Sequence, residues 1–364
     1  MPSWASWSAD EGDAIRAGGQ WRQVTDFDPG GAVVSFASND YLGLTQHPVV
    51  VAAAHEALDR WGAGAGAARL VVGSRPVHSE LERAIADWKR EEAALLFATG
   101  YAANLGVLTT IGTAGTQILS DERNHASIVD GCRLAAGRVE VFRHADVDHL
   151  EWLLLRSAEP AIVVSDTVFS MDGDVAPVGA LAEVCSRAGA LLVLDEAHAV
   201  LGPDPALDGV EHLRVGTLSK YLGSLGGFVA GTRSMVDLLV NRARPFIFTT
   251  APTPADTAAA LAALTVLRTR EGEQLKARLR ANVDRVQPGH PAPIVGVIVG
   301  DENDAMRAAA ALLDRNLLVP AIRPPTVPAG TSRLRVTLSA AHTAEQVGAL
   351  GAALADLQLP AHAS

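Results

Sequence analysis

The chain is short of cysteine, of lysine and of positive charge overall. Its 364 residues include two cysteines, Cys132 and Cys185. Their spacing fits neither a zinc site nor a disulfide framework, so no metal is expected, and both are read as small buried residues in helix-like stretches. The formal net charge is −11, which disfavours nucleic acid or an anionic membrane surface as a partner of the whole molecule. No run of about 18 uninterrupted apolar residues occurs, so no membrane span is expected. The opening stretch MPSWASWSADEGDAIRAGGQW is acidic and lacks an apolar h-region, so no secretory signal is expected. From these absences a cytoplasmic protein is expected.

What is present is a globular composition with 48% apolar residues and a length that suits about two domains. Short apolar runs alternate with helical patterns: AALLFAT (93–99), TQILSD (116–121), AIVVSDT (161–167), ALLVLDE (190–196), LRVGTLS (213–219) and GGFVAG (226–231). Fully apolar runs of this length, separated by helices, predict buried and mostly parallel strands. The expected organisation is an N-terminal segment 1–45, a large α/β domain 46–255 with its sheet covered on both faces, and a smaller α+β domain 256–364. Residues 255–286 read as one long helix, WGAGAGAARLVVGS (61–74) as a flexible loop, and the tail LPAHAS as disordered.

Only Lys89, Lys220 and Lys276 carry an ε-amine. Lys89 and Lys276 sit among charges on helical patterns and read as solvated faces. Lys220, in GTLSKYLGSLGG, follows a buried strand and precedes small residues that let backbone and ligand come close. An amine in a partly desolvated site deprotonates more readily and can hold a carbonyl as an imine. That chemistry, used with pyridoxal phosphate, needs an acid beside the ring nitrogen and a cradle for the phosphate. Asp195 ends the strand ALLVLD and suits the first need; a turn or cap is its plainer alternative. His198, three residues on, suits the ring's phenolic oxygen; a structural histidine is its plainer alternative. Gly100, between a strand and a helix, either suits the phosphate or is an ordinary strand-to-helix turn, the plainer reading of it alone. His125 opens another helix and either stacks on the ring or caps the helix. Thr217 and Ser219 flank the lysine with hydroxyls suited to phosphate or ring oxygen.

SNDYLGL (38–44), GSRPVHSELERAIADW (73–88), FATGYAANLGVL (97–108), DERNHASIVDG (121–131), SDTVFSMDGDVAPV (165–178), LLVLDEAH (191–198) and GTLSKYLGSLGG (216–227) follow in this order. Together they resemble the α-oxoamine synthase family of fold-type I pyridoxal phosphate enzymes, over nearly the whole chain. The resemblance implies a mostly parallel seven-stranded sheet in the large domain, pyridoxal 5'-phosphate as cofactor, and a homodimer with shared active sites. It implies that Lys220 anchors the cofactor and acts as acid and base, that Asp195 pairs with the ring nitrogen, and that His125 stacks over the ring. His198 and Ser170 would contact the phenolic oxygen. Gly100, Tyr101 and Thr217 would hold the phosphate, joined by Thr250 of the partner subunit. Asn39 would line the substrate pocket. Arg335 would bind the amino acid carboxylate as a two-donor fork, with Arg333, on the same strand face, as its competitor.

Within the family, AIRPPTVPAGTSRLRVTLSAAH (321–342) is most similar to members that join L-alanine to a pimeloyl thioester, with loss of carbon dioxide, in the biotin pathway. A sister synthase with another amino acid or acyl-CoA, and a catalytically idle scaffold, are the alternatives. The chain departs from the family pattern in places. Ala67 and Ala68 stand where a hydroxyl is common, the loop after His198 is about two residues short on that pattern, and Tyr221 replaces a small residue, which would narrow the pocket. For a distal carboxylate the N-terminal segment offers Arg16 or Arg22, with the choice between them open.

Overall fold

The structure, a computed structural model, describes residues 3–202 and 204–357. The tail LPAHAS lies outside the described residues. By internal contacts the chain divides into two units. The larger comprises Ser38–Val295 with Thr337–Gly348. The smaller comprises the chain up to Ala37, Gly296–Val336 and the chain from Ala349. This grouping differs from the boundary expected at residue 255, because helices Pro254–Leu267 and Arg270–Val286 belong with the larger unit.

Those two helices were expected as one. The break falls at Arg268–Thr269, and TREGE carries the start signal for the second: Thr269 stands at its N-cap and Glu271 and Glu273 lie in its first turn. A Cβ at Gly272 would lie 2.2 Å from the Leu267 carbonyl oxygen, so only glycine permits this reversal. Pro254–Leu267 is apolar around most of its surface and packs Ala258 and Leu261 against Pro48–Trp61 and Pro76–Lys89. A helix of that kind needs cover on several sides.

The larger unit is built on seven strands. In spatial order they are Ala93–Phe97, Gly227–Gly231, His212–Thr217, Leu191–Asp195, Ala161–Asp166, Gln117–Asp121 and Arg138–Phe142. Gly227–Gly231 is antiparallel to both neighbours, and the other pairings are parallel. The apolar runs read as strands are buried along their length because both faces are covered. Ile162, Val164, Leu191, Val193, Leu213 and Val215 join one apolar cluster, while Val163, Leu192 and Leu194 join the other. The two-residue period of a strand divides them.

The smaller unit carries a three-stranded sheet, in the order Ala321–Ile322, Ser332–Thr337, Ile294–Gly300. Val34–Ser35 pairs in parallel with Leu317–Leu318. Its helix Trp4–Ala17 has no buried residue. Cys132 and Cys185 are buried in helices of the larger unit, and burial pushes their thiols up to about 11 and about 12.

Candidate functional site

Strand periodicity assembles the centre of the site. Ile162 and Val164, Leu191 and Val193, and Leu213 and Val215 face one apolar cluster. The next residue in phase along each strand is Asp166, Asp195 or Thr217, so all three side chains lie on that face at the carboxyl edge of the sheet. In open α/β sheets this edge is where ligands are held.

Two helices meet the carboxylates there. Asn104, on Gly100–Ile111, donates from Nδ2 to Asp195 Oδ2 at 2.6 Å and to Ser127 Oγ at 2.9 Å. Ala197 N–H donates to the other Asp195 oxygen at 2.8 Å. His125 caps Ala126–Leu134, its imidazole accepting from the Ser127 N–H, and the His125 main-chain N–H donates to Asp166 Oδ2 at 2.7 Å. Burial holds the His125 imidazole below its usual range against the pull of the Asp195 carboxylate, and the Lys220 charge adds to the lowering.

Lys220 follows the strand His212–Thr217. Its Nζ lies 2.9 Å from His198 Nε2. His198 Nδ1 lies 2.5 Å from the Tyr41 hydroxyl, which donates to Asn39 Oδ1 at 3.2 Å. The sequence reading selected Asn39 and missed Tyr41. The available signal was a phenol set between Asp40 and an apolar run, where a buried hydroxyl requires a partner.

Gly100 stands at the first helical position, after the Thr99 cap. The N–H groups of Gly100 and Tyr101 have no intrahelical acceptor. A Cβ at Gly100 would lie 3.2 Å from Thr217 Cβ, so the missing side chain leaves the Thr217 hydroxyl beside a helix N-terminus. Thr217 Oγ1 lies 2.7 Å from Ser219 Oγ. A Cβ at Gly227 would fall 2.4 Å from the Thr99 carbonyl, so glycine lets this helix start sit directly on the sheet. Tyr101 donates its hydroxyl to Asp130 Oδ2 at 2.6 Å. Helix N–H groups with two hydroxyls suit a phosphate. An amine beside an imidazole, with a buried carboxylate across the same face, suits an aromatic aldehyde bearing a ring nitrogen. The residues present therefore fit pyridoxal 5'-phosphate.

Three further expected residues stand on other segments. Ser170 is in the loop closed by the Val168–Val175 bridge. Thr250 is exposed, between Arg244–Ile247 and Pro254–Leu267. Arg335 belongs to the smaller unit, on Ser332–Thr337, and is as buried as Arg333, so burial does not choose between them.

Three readings are corrected. Lys89 is not on a solvated face. It is buried, with Nζ 2.6 Å from Glu196 Oε2 and 3.3 Å from Asp204 Oδ1. Leu81, Ile85 and Lys89 recur every four residues, the stripe that marked the inward face. Burial works against the ammonium, and Glu196 overcomes it, so the pKa is raised. Arg214 closes the other side of Glu196 at 2.9 Å and takes Glu91 at 3.1 Å. Tyr221 does not turn toward the amine at 220. Its ring is buried edge-to-face on Trp88, with the hydroxyl lacking a hydrogen-bond partner among the described residues. The glycine- and alanine-rich loop is structured: Arg69–Gly73 forms a helical turn, and Arg69 forks onto Glu82 at 2.9 and 3.1 Å.

Among the described residues no group of three or more His, Cys, Asp or Glu is placed to hold a metal, and no helix is long and apolar enough to cross a membrane.

Sheet, covering helices and the lysine–carboxylate–imidazole cluster define a pyridoxal-phosphate-dependent transferase of fold type I. The sequence pattern of the aminotransferase class I and II family matches residues 32–354. The 8-amino-7-oxononanoate synthase of Anaeromyxobacter dehalogenans (strain 2CP-1 / ATCC BAA-258) is 48% identical, covering 96% of this chain and 94% of its own. That of Methylobacterium sp. (strain 4-46) is 48% identical over 90% and 88%. Among solved structures, S. paucimobilis serine palmitoyltransferase has a TM-score of 0.91 at 29% identity and covers 98% of both chains. The 8-amino-7-oxononanoate synthase of Francisella tularensis has a TM-score of 0.74 at 25% identity, covering 89% of this chain and 96% of its own. The chain belongs to the aminotransferase class I and II family, and within it to the α-oxoamine synthases.

Proposed function

We propose that this protein condenses L-alanine with a pimeloyl thioester, on CoA or a carrier protein, to give 8-amino-7-oxononanoate, carbon dioxide and the free thiol for biotin biosynthesis. The observation that carries this reading is the 48% identity, over almost the full length of both chains, with enzymes of that name. The placement of Lys220, His198, Asp195 and Asn104 around one sheet edge supports it.

When bound, pyridoxal 5'-phosphate supplies an electron sink at the amino acid Cα. Lys220 anchors the cofactor, takes the Cα proton once alanine is bound, and returns a proton after carbon dioxide has left. Asp195, fixed by Asn104 and Ala197, keeps the ring nitrogen protonated. His125 would stack on the ring. His198 and Ser170 would hold the phenolic oxygen. The helix start at Gly100 and Tyr101, with Thr217, would bind the phosphate, and Thr250 of the partner subunit would complete it in a homodimer. Asn39 and Arg335 orient the amino acid. The protein works in the cytoplasm.

A second reading rests on the closer superposition with serine palmitoyltransferase: the same chemistry with serine and a longer acyl chain. Release of CoA from pimeloyl-CoA with L-alanine decides. If serine with palmitoyl-CoA releases CoA and alanine with pimeloyl-CoA does not, the first reading is wrong.

A further inference from the structure

Asp166 has no part in the roles assigned above, yet it stands beside the site's central carboxylate. It ends the strand Ala161–Asp166 and is paired in parallel register with Asp195. Both are buried, 3% and 6% exposed, and strand alternation turns them to the same face. Two carboxylates in one water-poor place cannot both stay charged cheaply. The donors decide which one keeps its charge. Asp195 receives the Asn104 side chain and the Ala197 N–H. Asp121, at the end of the neighbouring strand, receives the N–H groups of Arg123 and Ala145 and faces His144 at 3.0 Å. Asp166 receives only the His125 N–H among the described residues. The charged and titratable groups bearing on it are Asp195, Asp121, Lys220 and His125. Burial, and then the Asp195 charge, hold its carboxyl well above the usual range, which agrees with the donor count.

We propose that Asp166 is a positioning residue that works as a neutral carboxylic acid, holding the His125 main chain in place while leaving Asp195 as the anion that faces the cofactor ring nitrogen. The part concerning the cofactor rests on the functional reading above. The neutral state of Asp166 does not.

An unfolded aspartate ionises near about pH 3.9. Above that pH the folded chain retains a proton that the unfolded chain has lost, so this residue's contribution to stability falls as pH rises toward the folded pKa. Asparagine copies the shape of the neutral acid and its acceptor oxygen but has no proton to lose.

The experiment compares wild type, Asp166→Asn and Asp166→Ala as purified holoproteins. It measures urea unfolding from pH 5 to pH 8 and the dissociation constant for pyridoxal 5'-phosphate. Relative to wild type, the unfolding constant of Asp166→Asn is expected to fall as pH rises, by up to about tenfold per pH unit, with cofactor affinity kept within about threefold. Asp166→Ala loses the oxygen that holds His125 and is expected to bind cofactor about tenfold more weakly. Unfolding curves of wild type and Asp166→Asn that shift in parallel overturn the proposal, as does an asparagine variant that fails to fold or loses cofactor as alanine does. A wild type that takes up no pyridoxal phosphate sinks the functional reading instead, and the pH comparison still decides the state of Asp166.

Discussion

Lys220 Nζ and His198 Nε2 stand 2.9 Å apart, and the far side of that imidazole meets the buried Tyr41 hydroxyl at 2.5 Å. The reactive amine is thereby joined through one ring to a phenol, and through the phenol to Asn39. A ring held from both sides cannot turn without breaking a hydrogen bond, so His198 presents a fixed nitrogen to whatever Lys220 holds.

Lys220→Ala removes the covalent anchor and the proton-transfer group together. Turnover is expected to fall by at least about 10²–10⁴-fold, the usual contribution of a positioned acid or base. Borohydride treatment with pyridoxal phosphate should label wild type at Lys220 and leave the variant unlabelled. Peptide mapping checks this, and undiminished turnover would refute the assignment.

Tyr41→Phe keeps the ring and removes the hydroxyl between His198 and Asn39. A loss of about 1 kcal/mol in stability is expected. A fall of roughly tenfold in kcat/KM, about 1.4 kcal/mol of transition-state stabilisation, should accompany it. Unchanged kinetics would show that His198 needs no support from this side.

His144 bridges Asp121 at 3.0 Å and Asp174 at 2.5 Å. Burial disfavours its imidazolium, but these two carboxylates push its pKa up to about 9. A raised pKa stabilises the fold fully below the unfolded value, near about 6.5, and the benefit disappears as pH rises through about 9. The stability gap between wild type and His144→Gln should therefore be large at pH 6 and close by pH 10. Urea titrations at the two pH values check it, and a gap that grows with pH contradicts the bridge.

Lys89→Met takes one cation from the buried set of Lys89, Arg214, Glu196 and Glu91. Breaking a buried pair from one side costs about 3–5 kcal/mol, and Arg214, still 2.9 Å from Glu196, keeps the loss toward the lower end of that range. Adding Glu196→Gln should recover much of that loss. Thermal unfolding of both single variants and the double variant forms the cycle, and strictly additive effects would argue against coupling.

Tyr221→Phe should be neutral or stabilising by up to about 1 kcal/mol, since the hydroxyl it removes is buried without a hydrogen-bond partner among the described residues. A loss of 2 kcal/mol or more, on the scale of a stranded partner, would reveal one. Calorimetry decides.

Much of this was legible along the chain. The apolar runs announced the strands, and Lys220 and Asp195 stood out because each closes such a run at its carboxyl end. Of the two roles the sequence allows His125, stacking and capping, the cap is formed. The break at Arg268–Thr269 was visible in TREGE and was overridden by the strong helical pattern on both sides. Lys89 was misread because charged neighbours in sequence hid a four-residue spacing that faces inward.

By itself the sequence determined the chemistry on offer: a rare lysine, an aspartate and two histidines, each placed at the end of a periodic element. Periodicity is local, so strand and helix faces can be read from neighbouring residues. Tertiary structure alone decided that Tyr41 meets His198, that Asp166 lies in register with Asp195, and that Glu196 turns to Lys89. Those meetings join segments far apart in the chain, and they depend on strand order and register, which no short stretch of residues encodes.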